Sequence, residues 1–110
     1  MTDNELKHSF IREDDARRAA DLRDLLSRPE GRRILMHLVT ASGIYRTSDD
    51  CAADRLAYAA GRRDIGLEFL SSCNRADPKA VAAAHAEREN TLAERAARLA
   101  AVRQNQPKDK

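Results

Sequence analysis

The stretch Ser27-Arg28-Pro29-Glu30-Gly31-Arg32-Arg33-Ile34-Leu35-Met36-His37-Leu38-Val39-Thr40-Ala41-Ser42-Gly43-Ile44 carries a helix with both of its ends written into it. Ser27 and the Glu three residues later have capping-box spacing, and Pro29 occupies a first-turn position where its missing N–H costs nothing. Ile34, Leu35, Leu38, Val39 and Ala41 recur at helical spacing. Gly43 then stands where a left-handed residue closes a helix, and Ile44 is placed to make the accompanying apolar contact. A sequence that starts and stops a helix within 18 residues favours a bundle of short connections, and the flanking residues repeat the pattern.

Before this stretch, Ala16, Ala19, Ala20, Leu22, Leu25 and Leu26 predict a first helix beginning near Glu13, where acidic residues 13 to 15 suit a helix N-terminus. Residues 1–12 read as a flexible N-terminus. Leu6, Phe10 and Ile11 within it could dock where a partner offers a groove. After the turn Ile44-Tyr45-Arg46-Thr47-Ser48, a cap at Thr47 or Ser48 predicts a third helix running to about Asn74, central to the fold because its apolar residues cover half the circumference. Asp77-Pro78 is an N-cap followed by Pro at the first helical position, opening a fourth helix to about Gln104.

The expected fold is therefore all-α, a small four-helix bundle-like domain. Residues 13–77 form its three-helix core, 78–104 a long C-terminal helix and 105–110 a disordered tail. The stripe Val81, Ala84, Leu92, Ala96, Leu99 and Val102 is thin for so long a helix. Two readings fit it: a solvated helix packed on the core along one edge, or one whose distal half projects and pairs with another subunit through Leu92 and Leu99.

Composition narrows the function classes. Of 110 residues 4% are aromatic and none is Trp, which suits close helix packing better than a sugar-stacking site. The chain is 35% charged with a net charge of +2, so opposite ions are interspersed, and a DNA-coating role is disfavoured. By segment, residues 1–27 carry 5 basic and 7 acidic groups, residues 28–77 carry 8 and 7, and residues 78–110 carry 7 and 4. No apolar run reaches the roughly 20 residues of a membrane span, and the N-terminus lacks the layout of a signal peptide. Cys51 and Cys73, 22 residues apart on one expected helix, would lie about 33 Å from each other, far beyond disulfide reach.

His8, His37 and His85 are scattered, with no metal-ligand spacing. No Gly-rich phosphate loop, nucleophile elbow or paired CxxC is present, and Asp14-Asp15 and Asp49-Asp50 are explained as helix starts. The expectation is no enzyme, no cofactor and no metal. Gly31-Arg32-Arg33 recurs as Gly61-Arg62-Arg63. Arg32, Arg33, Arg62 and Arg63 either grip a phosphate or a carboxylate-rich partner together, or pair singly with Glu30, Asp64 or Glu68 while their stems cover the core.

Three segments taken in order carry a resemblance: Leu25 to Leu35, Gly43 to Ser48 with its Gly-Ile-Tyr-Arg-Thr-Ser run, and Tyr58 to Leu67 with its Ala-Ala-Gly-Arg-Arg-Asp-Ile-Gly run. Together they resemble a small phage protein family first noticed in a Bordetella podovirus, over roughly residues 20–75. Members are typically encoded near portal, scaffolding and capsid genes. The resemblance implies a non-enzymatic head or tail accessory protein, made in the host cytoplasm and carried in the virion, near the portal vertex or in assembly. It also implies partners among portal, capsid or tail components and multiple copies or a homo-oligomer. Where family members often have an aromatic after Arg-Thr-Ser, this chain has Asp49. The candidate contacts are Arg32, Arg33, Tyr45, Arg46, Arg62 and Arg63, with Leu92 and Leu99 on a second surface. The alternative is a nucleic-acid-binding packaging factor that uses the same Arg residues and the basic C-terminal segment.

Overall fold

The computed structural model describes residues 1–44 and 53–106. It contains α1 (Asp3–Leu26), α2 (Pro29–Ala41), α3 (Ala53–Ala76) and α4 (Pro78–Gln104), with no strand among the described residues. The all-α expectation holds.

The first helix starts ten residues earlier than its apolar spacing predicts, and residues 3–12 of the expected flexible N-terminus belong to it. The cause is local. Thr2 Oγ accepts from Glu5 N at 3.1 Å while Thr2 N donates to Glu5 Oε2 at 3.0 Å, a reciprocal capping box, and Lys7 pairs with Asp3 across one turn. The box expected at Ser27 and Glu30 does not form. Ser27 instead closes α1, its hydroxyl donating to Asp24 O at 2.6 Å, and α2 begins at Pro29 behind Arg28 without a side-chain cap.

The other end of α2 matches its reading. Ser42 caps the helix, Gly43 takes φ +78°, and Ile44 packs against the core. Asp77 accepts from Ala80 N at 3.1 Å and opens α4 as expected. The expected cap at Thr47 or Ser48 lies outside the described residues, as do the last four residues of the expected disordered tail. Within that tail, Asn105 closes α4 by donating to Ala101 O and Val102 O.

The helices α2 and α3 each pack on all the others and form the central pair, while α1 and α4 flank it and barely touch each other. Two residues join α1 to α2 and one joins α3 to α4, and two glycines allow close approach between elements. A Cβ at Gly31 would collide with the Leu25 carbonyl, and one at Gly66 with the Ser42 side chain. The core gathers Leu22 and Leu26 from α1, Leu35, Met36 and Val39 from α2, Cys73 from α3, and Val81 and Ala84 from α4.

That core is small for the chain. The Cα radius of gyration is 20.2 Å, against about 13 Å for a compact domain of this length, and the molecule measures 83 × 39 × 15 Å. In so flat a body much of each apolar stripe stays in water. Although α3 touches every other helix, its Leu56, Tyr58, Ile65 and Leu67 are exposed, and on α2 the expected core residues Ile34 and Leu38 are exposed while Met36 is buried.

Candidate partner-binding surfaces

The arginines singled out by the repeated Gly-Arg-Arg separate into different environments. Arg32 is turned inward. Its Nε donates to Glu87 Oε1 and Oε2 at 2.9 and 3.1 Å, and a terminal guanidinium nitrogen donates to the Leu26 carbonyl at 3.0 Å. It thereby closes the C-terminal end of α1 and ties α2 to α4, with a partner not among the expected acids Glu30, Asp64 and Glu68. Arg62 donates to Ala41 O at 2.7 Å at the far end of α2 and lies over the Tyr58 ring, 5.8 Å from its centroid. Ala41 is nine residues beyond Arg32, about 14 Å along the helix, so the two Gly-Arg-Arg segments do not build one guanidinium cluster. Arg63 is half-buried on α3 and Arg33 is exposed on α2. Tyr45 and Arg46 lie outside the described residues.

The glycines confirm that the two tripeptides are not equivalent. Gly31 is buried against α1, whereas a Cβ at Gly61 would meet open space.

A cleft of about 480 Å³ lies between α2 and α4. Pro29, Met36 and Ala84 are among its apolar lining, and its charged residues are Arg32, Arg33, Glu87, Arg88 and Arg95. Arg32 and Glu87 neutralise each other. Arg33, Arg88 and Arg95 have no ion-pair or hydrogen-bond partner among the described residues, so the cleft presents three uncompensated guanidinium groups. Sequence reading named only Arg33 of these. The signal for the others was present, because Arg88 and Arg95 are one heptad apart on a helix whose stripe had been recognised.

The second surface continues from this cleft. At the angular step of an α-helix, Val81, Ala84, Leu92, Leu99 and Val102 fall within an arc of about 80° that also holds Arg88 and Arg95. Val81 and Ala84 are buried, but Leu92, Leu99 and Val102 are 48%, 50% and 56% exposed, and every residue from Leu92 to Gln106 is exposed. The core-facing stripe of α4 therefore runs on past the body of the molecule. The proximal half of α4 packs on the core along one edge and its distal half is exposed. Glu94 and Arg98 pair at 3.1 Å, as their i to i+4 spacing predicts.

No group of three or more His, Cys, Asp or Glu side chains among the described residues is placed to hold a metal ion, and no described helix is long and apolar enough to cross a membrane. The family model described as Bbp19-like phage protein matches residues 22–89, more than half of the chain. The chain belongs to the Bbp19-like phage protein family. The Bbp19-like region is wider than the resemblance over residues 20–75 and takes in the packed half of α4. It ends at Glu89, close to where α4 leaves the core and its stripe becomes exposed. No curated protein and no solved structure matches the chain.

Proposed function

We propose that this member of a phage protein family is a non-enzymatic accessory protein of the virion or of head assembly, acting through protein–protein contacts near the portal vertex. The observation that carries the reading is the uncovered extension of the α4 core stripe. Leu92, Leu99 and Val102 hold about half of their surface in water on a helix that would be marginal alone, and helical stability comes mainly from burial of such a face. A protein that leaves this stripe open is suited to docking on other subunits, among which portal, capsid and tail components are the candidates. Synthesis in the host cytoplasm and presence in the virion or its precursor go with that role.

The test is mass spectrometry of purified particles beside empty precursor heads. The expected result is several copies per particle in at least one of the two, and absence from both ends the assembly reading.

A second reading is favoured by a separate observation, the three uncompensated guanidinium groups of Arg33, Arg88 and Arg95. A packaging factor that set them on phosphates would bind DNA with a slope of log affinity against log salt of about −3. Sub-micromolar DNA binding with that slope, lost on replacing the three arginines with Gln, would put this reading first.

A further inference from the structure

Two exposed faces of the chain each carry a pair of large apolar residues, one bordered by an acid and the other by a base. On α1, Leu6 and Phe10 are 42% and 52% exposed and stand one helical turn apart. They point about 160° away from the buried Leu22 and Leu26 and lie outside the core. Asp14 borders this pair and has no partner among the described residues. On α4, Leu92 and Leu99 are exposed beside Arg88, which is likewise unpaired. The helices that carry the two faces are the pair that touches least within the chain.

We propose that the exposed face of α1 in one copy docks on the projecting stripe of α4 in a second copy, in an antiparallel helix pair. This rests on the protein–protein reading above and specifies its partner as the chain itself. The register follows from the spacings. Four residues separate Phe10 from Asp14, and four separate Leu92 from Arg88, so an antiparallel pairing that sets Phe10 on Leu92 brings Asp14 to Arg88. The same register places Leu6 over Ala96, a small residue that admits the larger side chain. Buried apolar contact supplies the attraction and the Asp14 to Arg88 pair fixes the register, as charges bordering helical interfaces do.

The contact joins two different faces, so a pair held by one contact keeps one face of each kind free, and association by that contact grows into a ring or an open chain.

Light scattering on the full-length protein tests this with two double variants. Wild type is expected to form species larger than a dimer that grow with concentration. Leu6→Asp with Phe10→Asp removes the α1 face, Leu92→Asp with Leu99→Asp removes the α4 face, and each variant alone should be monomeric with unchanged helical circular dichroism. Mixed in equal amounts, they should form a one-to-one dimer, because one pairing survives and nothing remains to extend it.

Monomeric wild type, an α1 variant that still associates, or a mixture that stays monomeric would each overturn the proposal. A charge exchange covers the case in which an apolar variant fails to fold. Asp14→Arg or Arg88→Asp alone should weaken association at least tenfold, and the two together should restore it; no restoration sinks the register. A chain found in particles that never self-associates would end this inference and leave the assembly role standing.

Discussion

The Arg32 guanidinium holds both carboxylate oxygens of Glu87, at 2.9 and 3.1 Å, while also donating to the Leu26 carbonyl. One side chain thus joins the end of α1, the first turns of α2 and the middle of α4. The pair is asymmetric in exposure, with the Arg32 side chain 17% exposed and that of Glu87 45%. Arg32→Ala leaves the Leu26 carbonyl and the carboxylate without their donor and should cost about 2 kcal/mol. Glu87→Ala, on the wetter side of the bridge, should cost about 1 kcal/mol. Arg32→Lys should recover little, since an ammonium cannot span two carboxylate oxygens and a carbonyl in one plane. Urea melts of the single and double variants measure the coupling, and strictly additive losses would show that the bridge contributes nothing of its own.

Gly31 and Gly61 head identical tripeptides and should respond oppositely to the same change. Gly31→Ala drives a methyl group into the Leu25 carbonyl and should destabilise by about 1 to 3 kcal/mol, because the α1–α2 turn must open. Gly61→Ala enters open space within α3 and should stabilise by up to about 1 kcal/mol through helix propensity. Thermal melts that move in the same direction would contradict these placements.

Gly43, at φ +78°, has room for a side chain but a backbone that an L-residue resists. Gly43→Val should cost about 1 to 2 kcal/mol and lower the melting temperature by several degrees, with Gly43→Asn costing less. An unchanged melt for the Val variant would mean that the chain does not need this conformation to leave α2.

The legibility of this fold divides by range. The signals at Gly43 and Asp77 were readable because each depends on residues within one turn. The Thr2 and Glu5 box obeys the same rule, and was hidden because Leu6 and Phe10, which follow it, fall on the face opposite the Leu22 and Leu26 stripe. Ser27 shows the opposite failure, since its spacing to Glu30 is correct but its hydroxyl is taken by the end of the preceding helix. Apolar spacing on α2 and α3 marked faces without telling which were covered, and a body 15 Å thick covers few of them. The bridge from Arg32 to Glu87 spans 55 residues, and no local spacing contains it.

Cys73 is fully buried in the core, and burial raises its thiol pKa above the ordinary 9.0. The folded state holds this proton at a pH where the unfolded chain has released it. The contribution to stability is therefore whole below pH 9 and is lost as pH rises through the folded value. With Cys51 replaced by Ala, melting temperature should fall more steeply above pH 9 than in the variant that also carries Cys73→Ala. A disulfide reagent should label Cys73 only as fast as the protein opens. Immediate labelling of the folded Cys51→Ala protein would show that the thiol is not in the core.

Leu92 and Leu99 decide between the two uses of the long helix. Each keeps about half of its surface in water, so Leu92→Asp with Leu99→Asp removes little packing from the chain itself and places no charge in a closed core. Helical circular dichroism should be retained and the melting temperature of the monomer should stay within a few degrees, because exposed substitutions are usually worth under about 0.5 kcal/mol each. Against that intact background, self-association and incorporation into particles should be lost. Val81→Asp is the matched control, since that residue lies on the same stripe at 4% exposure, and a buried charge there should unfold the protein. If the Leu92 and Leu99 variant unfolds as Val81→Asp does, the distal stripe belongs to the core and the docking role of α4 fails.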